Sequence, residues 1–196
     1  MKGEKNYPFI MLMDLLKGES LMNKRNVQFV MGYIVGGLLV LVLIPLGLYG
    51  ASIWLKSWMP FQLIPNQVLR LVVAAIILLI GFIFAISSLI TQNTRGEGGP
   101  VQFMNTDISP RTQKLVTSGP YRYTRNPMLF GAFMVYLAFA VYLNSLAALI
   151  IVLLFICLML VFVKRTEEPR LLRDFGSEYE EYSKRVSFII PWLSKK

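Results

Sequence analysis

The sequence predicts an all-α protein, a polytopic bundle of four membrane-spanning helices with a fifth span possible. Three observations carry this. The chain of 196 residues is 55% hydrophobic and only 16% charged, too apolar for an ordinary soluble domain. Its apolar residues collect into four long runs. Its lysines and arginines collect into the segments between alternate runs, as they do in chains oriented across a bilayer.

Taken in order, residues 7–22, "YPFIMLMDLLKGESLM", are apolar but interrupted by Asp14, Lys17 and Glu19. They predict an interfacial helix. A fifth span here would place the N-terminus outside, against the charge distribution. The charged start is not followed by a compact apolar core and a small-residue cleavage site, so no cleavable signal peptide is expected. The first two apolar runs, residues 27–49 and 68–90, rise about 1.5 Å per residue and suffice for a hydrocarbon layer of about 30 Å. Pro45 lies inside the first and predicts a kink, because it lacks a backbone donor and clashes with the preceding turn. The runs at 128–143 and 145–163 are shorter, with Asn144 and Ser145 almost the only polar residues between them, and predict a tight helical hairpin. No internal repeat is present, and the chain is read as one membrane domain, 1–196.

Charge sets the orientation. Lys2, Lys5, Lys17, Lys24 and Arg25 precede the first run, Arg95, Arg111, Lys114, Arg122 and Arg125 fill the link from 91 to 127, and the tail from Lys164 is basic, whereas the link at 50–67 holds only Lys56. Both termini and the long link are therefore expected in the cytoplasm. The formal charge of +9 follows from this asymmetry and from attraction to anionic lipid, at about 1 kcal/mol per near-surface Lys or Arg. A nucleic-acid partner is not expected.

Absences narrow the chemistry. The chain has no histidine, which removes Ser-His-Asp triads, HExxH metal sites and imidazole proton shuttles. Its one cysteine, Cys157, is expected as a small buried thiol in the fourth run, and no disulfide can form within the chain. No metal site is expected, since Glu167 and Glu168 are the only dense carboxylate pair. The glycine-rich "TRGEGGPVQF" at 94–103 has neither dinucleotide nor Walker spacing and reads as a connector.

Two polar segments remain, "TSGPYRYTRNP" at 117–127 and residues 164–193, and the hairpin brings both to one membrane face. Pro127 suits the first turn of the third helix, where its missing donor costs nothing. Asn126 then falls at the N-cap, beside first-turn amides suited to an anion. Gly119 and Pro120 predict a tight turn holding Tyr121 and Tyr123 near that helix start. One reading of this segment is an aromatic interfacial belt with snorkelling arginines; the other is a binding site. In the second segment, Glu178, Glu180, Glu181, Lys184 and Arg185 read as the solvated face of an amphipathic helix, and Glu167 and Glu168 either pair with Arg165 or Arg173 or face a pocket.

"LVTSGPYRYTRNPMLFG", followed about forty residues later by "RTEEPRLLRDFGSEYEEYSKRV" and then by "IIPWL", resembles the isoprenylcysteine carboxyl methyltransferase family of integral membrane enzymes. The resemblance covers residues 113–193; residues 1–112 share only hydrophobic spans with it. It implies a cytosolic S-adenosylmethionine pocket formed by the loop before the third span and the C-terminal segment. Gln113, Lys114, Leu115, Val116 and Tyr121 would line it, Asn126, Pro127, Met128 and Leu129 would cover it at the helix start, and Glu167 would face it. An apolar wall suits adenine, a helix N-terminus a carboxylate, and a glutamate an ammonium or hydroxyl group. Arg165 and Glu168 are the implied catalytic residues, with Arg165, or the nearby Lys164, addressing a substrate carboxylate. The implied reaction is methyl transfer to the carboxylate of a membrane-embedded, prenylcysteine-like amphiphile by a monomeric enzyme. Asn126 and Leu129 depart from the histidine and tyrosine usual in the family, so a histidine-dependent proton transfer is not expected here. Two rival readings are an NADPH-dependent membrane sterol-type reductase, with Arg122, Arg125 and Arg173 supplying the phosphate site, and a phospholipid N-methyltransferase. A non-catalytic lipid- or partner-binding protein is a third.

Overall fold

A computed structural model describes residues 24–56, 58–96 and 113–192. The stretch 7–22, with its interfacial-helix and fifth-span readings, lies outside the described residues, as does most of the connector at 94–103. The elements are α1 (Lys24–Leu38), a π-helical segment (Leu39–Leu43), α2 (Ile44–Lys56), α3 (Gln67–Thr91) continued by a second π segment (Gln92–Gly96), a 3-10 turn (Gly119–Arg122), α4 (Pro127–Leu143) and α5 (Leu146–Arg185). Among the described residues there is no strand, only an isolated parallel bridge between Thr124 and Ser187.

Val30–Leu55, Gln67–Gly96 and Leu146–Arg185 are long and apolar enough to cross a membrane, and Pro127–Leu143 is a shorter apolar helix. The chain is an integral membrane protein. Its outer surface fits that solvent: Leu41, Leu46, Val68, Leu79, Ile83, Leu154 and Leu158 are all exposed, which costs nothing against lipid tails. Cys157 joins them on the exposed face, which corrects the expectation of a buried thiol. Trp54, Trp58, Phe61 and Tyr142 are exposed around one end of the bundle, where amphipathic rings meet headgroups.

Pro45 acts through its neighbours. In a regular helix its ring would collide with the carbonyl of Leu41 and leave that carbonyl unpaired. The chain widens into the π segment just before it, and the Ile44 amide bonds the Leu39 carbonyl, one residue further back than in an α-helix. The expected kink is thus a π-bulge.

With no hydrophobic drive between helices in lipid, tight packing of small residues must hold the bundle. α3 and α4 show it most clearly. A Cβ on Gly131 would lie 2.6 Å from the Ala85 nitrogen and 2.8 Å from the Gly81 carbonyl oxygen, so the two backbones touch there. Phe84 and Phe130 close the same seam edge to face at 4.9 Å. On the other side of α4, Leu48 of α2, Tyr136 and Ala140 of α4, and Ala148 and Val152 of α5 form the main core. Ser88 returns its hydroxyl to the Phe84 carbonyl and Thr91 to that of Ser87, so these buried hydroxyls are satisfied within their own helix.

The hairpin turn is tighter than a polar link requires. Asn144 takes the left-handed conformation at φ 53°, Ser145 caps α5 by accepting from the Ala148 amide at 3.2 Å, and the Asn144 Oδ1 accepts from the amides of Leu63 and Ile64, both at 2.9 Å. The α2–α3 linker is thereby pinned across the turn.

α5 is the main departure from expectation. The stretch before its break at Gly176 alone rises about 45 Å, well beyond a hydrocarbon thickness of about 30 Å. The apolar part ends at Val163, and the rest continues as helix beyond the membrane, through Pro169. It bends at Gly176, whose φ 52° and ψ −129° suit a residue without a Cβ.

The α3–α4 seam gives a direct test. Gly131→Ala should destabilise the bundle by about 1–3 kcal/mol through overpacking, read as a lower melting temperature in detergent, while Gly47→Ala, which meets nothing within 4 Å, should not. Equal melting of the two variants would show that the backbones do not touch at Gly131.

Candidate active site

The end of the bundle opposite the Asn144 turn is built by segments that hold one another. The Gln113 amide donates to the Gly96 carbonyl at 2.9 Å, tying the incoming loop to the end of α3. The chain then passes through the 3-10 turn into α4. From the C-terminal side, residues 186–192 return along it: the Arg125 amide donates to the Ser187 carbonyl at 2.8 Å and the Trp192 amide to the Tyr123 carbonyl at 2.9 Å. Thr124, fully buried, donates to the Phe188 carbonyl at 3.2 Å.

Pro127 is the first residue of α4 and Asn126 its N-cap, but the Asn126 side chain makes no capping bond. It donates instead to the Phe188 carbonyl at 2.9 Å. The first-turn amides of Met128 and Leu129 therefore have neither an acceptor within the helix nor a side-chain cap. They end at a cavity.

That cavity is about 340 Å³, within the range of about 300–1,000 Å³ that holds small ligands. Its roof is the extension of α5. Leu171 and Phe175 before the break at Gly176, and Tyr179 and Tyr182 after it, line the cavity, each pair at helical spacing, and Tyr179, Tyr182 and Val186 pack together with Leu115. Gly176 lies between the two pairs, and its turn sets the direction in which the two tyrosines return. Val163, Leu129 and Ala132 complete the wall on the membrane side, so the cavity straddles the polar and apolar halves of α5.

Polar groups sit at fixed places in this wall. Glu167 receives Arg170 through Nε at 3.1 Å and Nη2 at 2.5 Å, and Asp174 stands 3.9 Å from the same guanidinium. Behind them, Arg125 is ion-paired with Glu168 and lies over the Phe188 ring, 5.5 Å from its centre. Tyr179 donates to Glu168 at 3.2 Å, Tyr182 to the Tyr121 carbonyl at 2.7 Å, and Tyr121 to the Gln92 side chain at 3.0 Å. Burial pushes the phenols of Tyr121 and Tyr182 up. Tyr179 is raised by burial first and then by the Glu168 charge, against the lowering effect of Arg125. All three act as neutral donors.

Of the residues expected from the sequence, Leu115, Val116, Tyr121, Asn126, Pro127, Met128, Leu129 and Glu167 line this one cavity. Gln113 and Lys114 do not; both are exposed before the loop turns inward. Arg165 is also exposed on α5 and outside the cavity wall, as is Lys164. Glu168 is held behind the wall by Arg125. The glutamates do not pair with Arg165 or Arg173, as one reading expected; their partners are Arg170 and Arg125. The quoted segment divides between its two readings, with Arg122 and Tyr123 facing outward as a belt and Tyr121 and Arg125 inward. Of Arg122, Arg125 and Arg173, only Arg125 lines the cavity; the other two are exposed. Glu178, Glu180 and Glu181 are solvated, and Glu180 pairs with Lys184 at 2.8 Å. Sequence reasoning missed Gln92, Arg125, Arg170 and the two α5 pairs as parts of the wall; the pairs were available in the spacing of Leu171 and Phe175 and of Tyr179 and Tyr182. Among the described residues no cluster of three metal-ligating side chains occurs.

In comparison with known families, the chain matches phospholipid methyltransferase over residues 69–178. That range runs from the first turn of α3 to the helix just past Gly176 and takes in the cavity lining from Gln92 to Phe175, but not Tyr179 or Tyr182. No curated protein and no solved structure matches the chain.

The raised phenols fix a pH dependence. Neutral tyrosine is favoured in the folded site, so its contribution to stability is complete below the ordinary phenol value of about 10 and is lost as pH rises through the higher folded values. Melting temperature should fall above about pH 10, and less steeply in Tyr182→Phe. An alkaline limb identical in the two proteins would remove Tyr182 as its source.

Proposed function

The chain belongs to the phospholipid methyltransferase family, and on that premise we propose that it transfers a methyl group from S-adenosylmethionine to the carboxylate of a prenylcysteine-like amphiphile embedded in the membrane, giving a methyl ester. The observation that carries this reading is the uncapped start of α4 opening into the same cavity as the Glu167–Arg170 pair.

S-Adenosylmethionine, when bound, supplies an electrophilic methyl group on a sulfonium centre. The donor set fits it. The amides of Met128 and Leu129 suit its carboxylate, Glu167 suits its ammonium or hydroxyl groups, and Leu115, Val116, Leu171 and Phe175 offer apolar faces to its base. Two guanidiniums line the wall, Arg125, which is held by Glu168, and Arg170. With five donors in a rigid fork, Arg170 can hold an acceptor carboxylate while staying charged, and so orients the nucleophile without protonating it. The apolar walls keep water from the reacting atoms and the fixed wall limits their separation. Val163 and Ala132 let an apolar tail stay in lipid, which avoids exposing it to water at about 0.8 kcal/mol per CH₂.

A carboxylate needs no base, whereas an ammonium must lose a proton before it attacks. The chain has no histidine, and Glu167 and Glu168 are engaged by arginines. The family's description supports a second reading, methylation of a phospholipid amine, in which Glu167 would exchange Arg170 for the ammonium. The site face carries Arg95, Arg122, Lys164, Arg165, Arg173 and Arg185 against Lys56 and Arg70 at the other end, which supports a cytoplasmic site.

Product chemistry separates the two readings. A base-labile methyl ester is expected with a long-chain amphiphilic acid; transfer only into a base-stable N-methylated phospholipid would sink the carboxylate reading. Arg170→Ala should lower kcat/KM by the worth of a charge-assisted hydrogen bond, about 1.5–3 kcal/mol, with partial recovery in Arg170→Lys, whereas Arg165→Ala should stay near wild type. The reverse ranking would return the substrate-orienting role to Arg165.

A further inference from the structure

A second cavity, about 350 Å³, lies at the opposite end of the bundle between α2, the pinned α2–α3 linker, the start of α3 and the hairpin turn. Arg70 in its wall is about 33 Å along α3 from Gln92 in the candidate active site, one bilayer thickness away. The Nε of Arg70 is buried without a hydrogen-bond partner. The described carboxylates, Glu167, Glu168, Asp174, Glu178, Glu180 and Glu181, all lie on the far half of α5, so none of them can neutralise it. Two neighbouring polar side chains are engaged elsewhere: Ser52 donates to the Tyr49 carbonyl at 2.9 Å, and the Asn144 Oδ1 accepts from the pinned linker. A cation held in a walled cavity at a membrane interface, with no counter-ion among the described residues, suits an anionic ligand.

The shape says which anion. A third cavity, about 300 Å³, lies between α2, α3 and α4, with walls that include Pro45, Leu71, Ala74, Ala75 and Ala138. It adjoins the second: Leu71 follows Arg70, and Pro45 is one turn before Tyr49, which lines the polar cavity. A charged recess thus lies beside an apolar cleft. We infer that this is a binding site for a glycerophospholipid of the leaflet opposite the active site, with its phosphodiester on Arg70 and an acyl chain along Leu71, Ala74 and Ala75. The lipid is not the methyl acceptor, being a membrane thickness from that cavity. Its acyl chain fills the cleft between α2, α3 and α4.

The test is native mass spectrometry of the delipidated full chain in detergent, titrated with phosphatidylglycerol, with diacylglycerol supplying tails without phosphate and inorganic phosphate supplying the anion without tails. One phosphatidylglycerol per chain is expected, with weak retention of diacylglycerol and little competition from phosphate. Arg70→Gln should weaken retention at least about tenfold, the worth of a charge-assisted bond, and Arg70→Lys should keep most of it. Ala75→Leu should weaken it by filling the cleft with Arg70 intact, which covers the case of a misfolded Arg70→Gln, and Glu181→Ala should leave it unchanged. The inference is overturned by equal retention in wild type and a folded Arg70→Gln, which would leave Arg70 merely snorkelling to water, by full displacement with inorganic phosphate, or by dimerisation through Arg70 in place of lipid binding.

Discussion

The ion pair between Arg125 and Glu168 is the interaction on which the candidate site depends. It joins the residue two before α4 to a residue one turn into the part of α5 beyond the membrane, and both side chains are mostly buried. A buried pair is weak evidence for net stability, because removing both charges from water costs several kcal/mol, but losing one partner leaves the other stranded. Its value here is registration. Tyr179 bonds the same carboxylate and Phe188 covers the same guanidinium, so the roof of the cavity, its floor and the returning tail are referred to one point.

That registration matters because the other forces are indifferent to it. Lipid tails solvate leucine as well as a neighbouring helix does, so the bundle is set by close backbone approach at Gly81 and Gly131 and by capped or pinned turns. Beyond Val163 the membrane no longer constrains α5, which would project into water as a lone helix. Leu171, Phe175, Tyr179 and Tyr182 give the extension an apolar face to bury, and Gly176 lets it bend toward that face. Catalytic geometry at a membrane surface thus rests on a polar clamp over an apolar hinge, each correcting what the other leaves undetermined.

The spans were legible in the sequence because hydropathy and length are enough to fix them. The start of α4 was legible because proline and asparagine have positional preferences that owe little to tertiary context. Pro45 announced a disturbance, but its form as a π-bulge depended on the pitch of the preceding turn. What could not be read was which cation serves the cavity. Arg165 and Arg170 are five residues apart on one helix and so point about 140° apart, and only the packing of α5 on α4 decides which faces inward. The partners of Glu168 and Asn126 were hidden for the same reason: Arg125 and Phe188 are distant in sequence. Cys157 was misplaced because burial in a soluble core was used as the guide, whereas in a bilayer a small apolar side chain faces lipid at no cost.

The most direct measurement is thermal stabilisation of the detergent-purified chain by S-adenosylhomocysteine, with NADPH as the comparison. A ligand at a hundred times its Kd adds about 2.7 kcal/mol to the folded state. S-Adenosylhomocysteine should raise the melting temperature of wild type and should do so less when the clamp is broken in Arg125→Ala, while NADPH leaves both unchanged. Stabilisation by NADPH, or none by S-adenosylhomocysteine in a protein that melts cooperatively, would contradict the assignment of this cavity to a methyl donor.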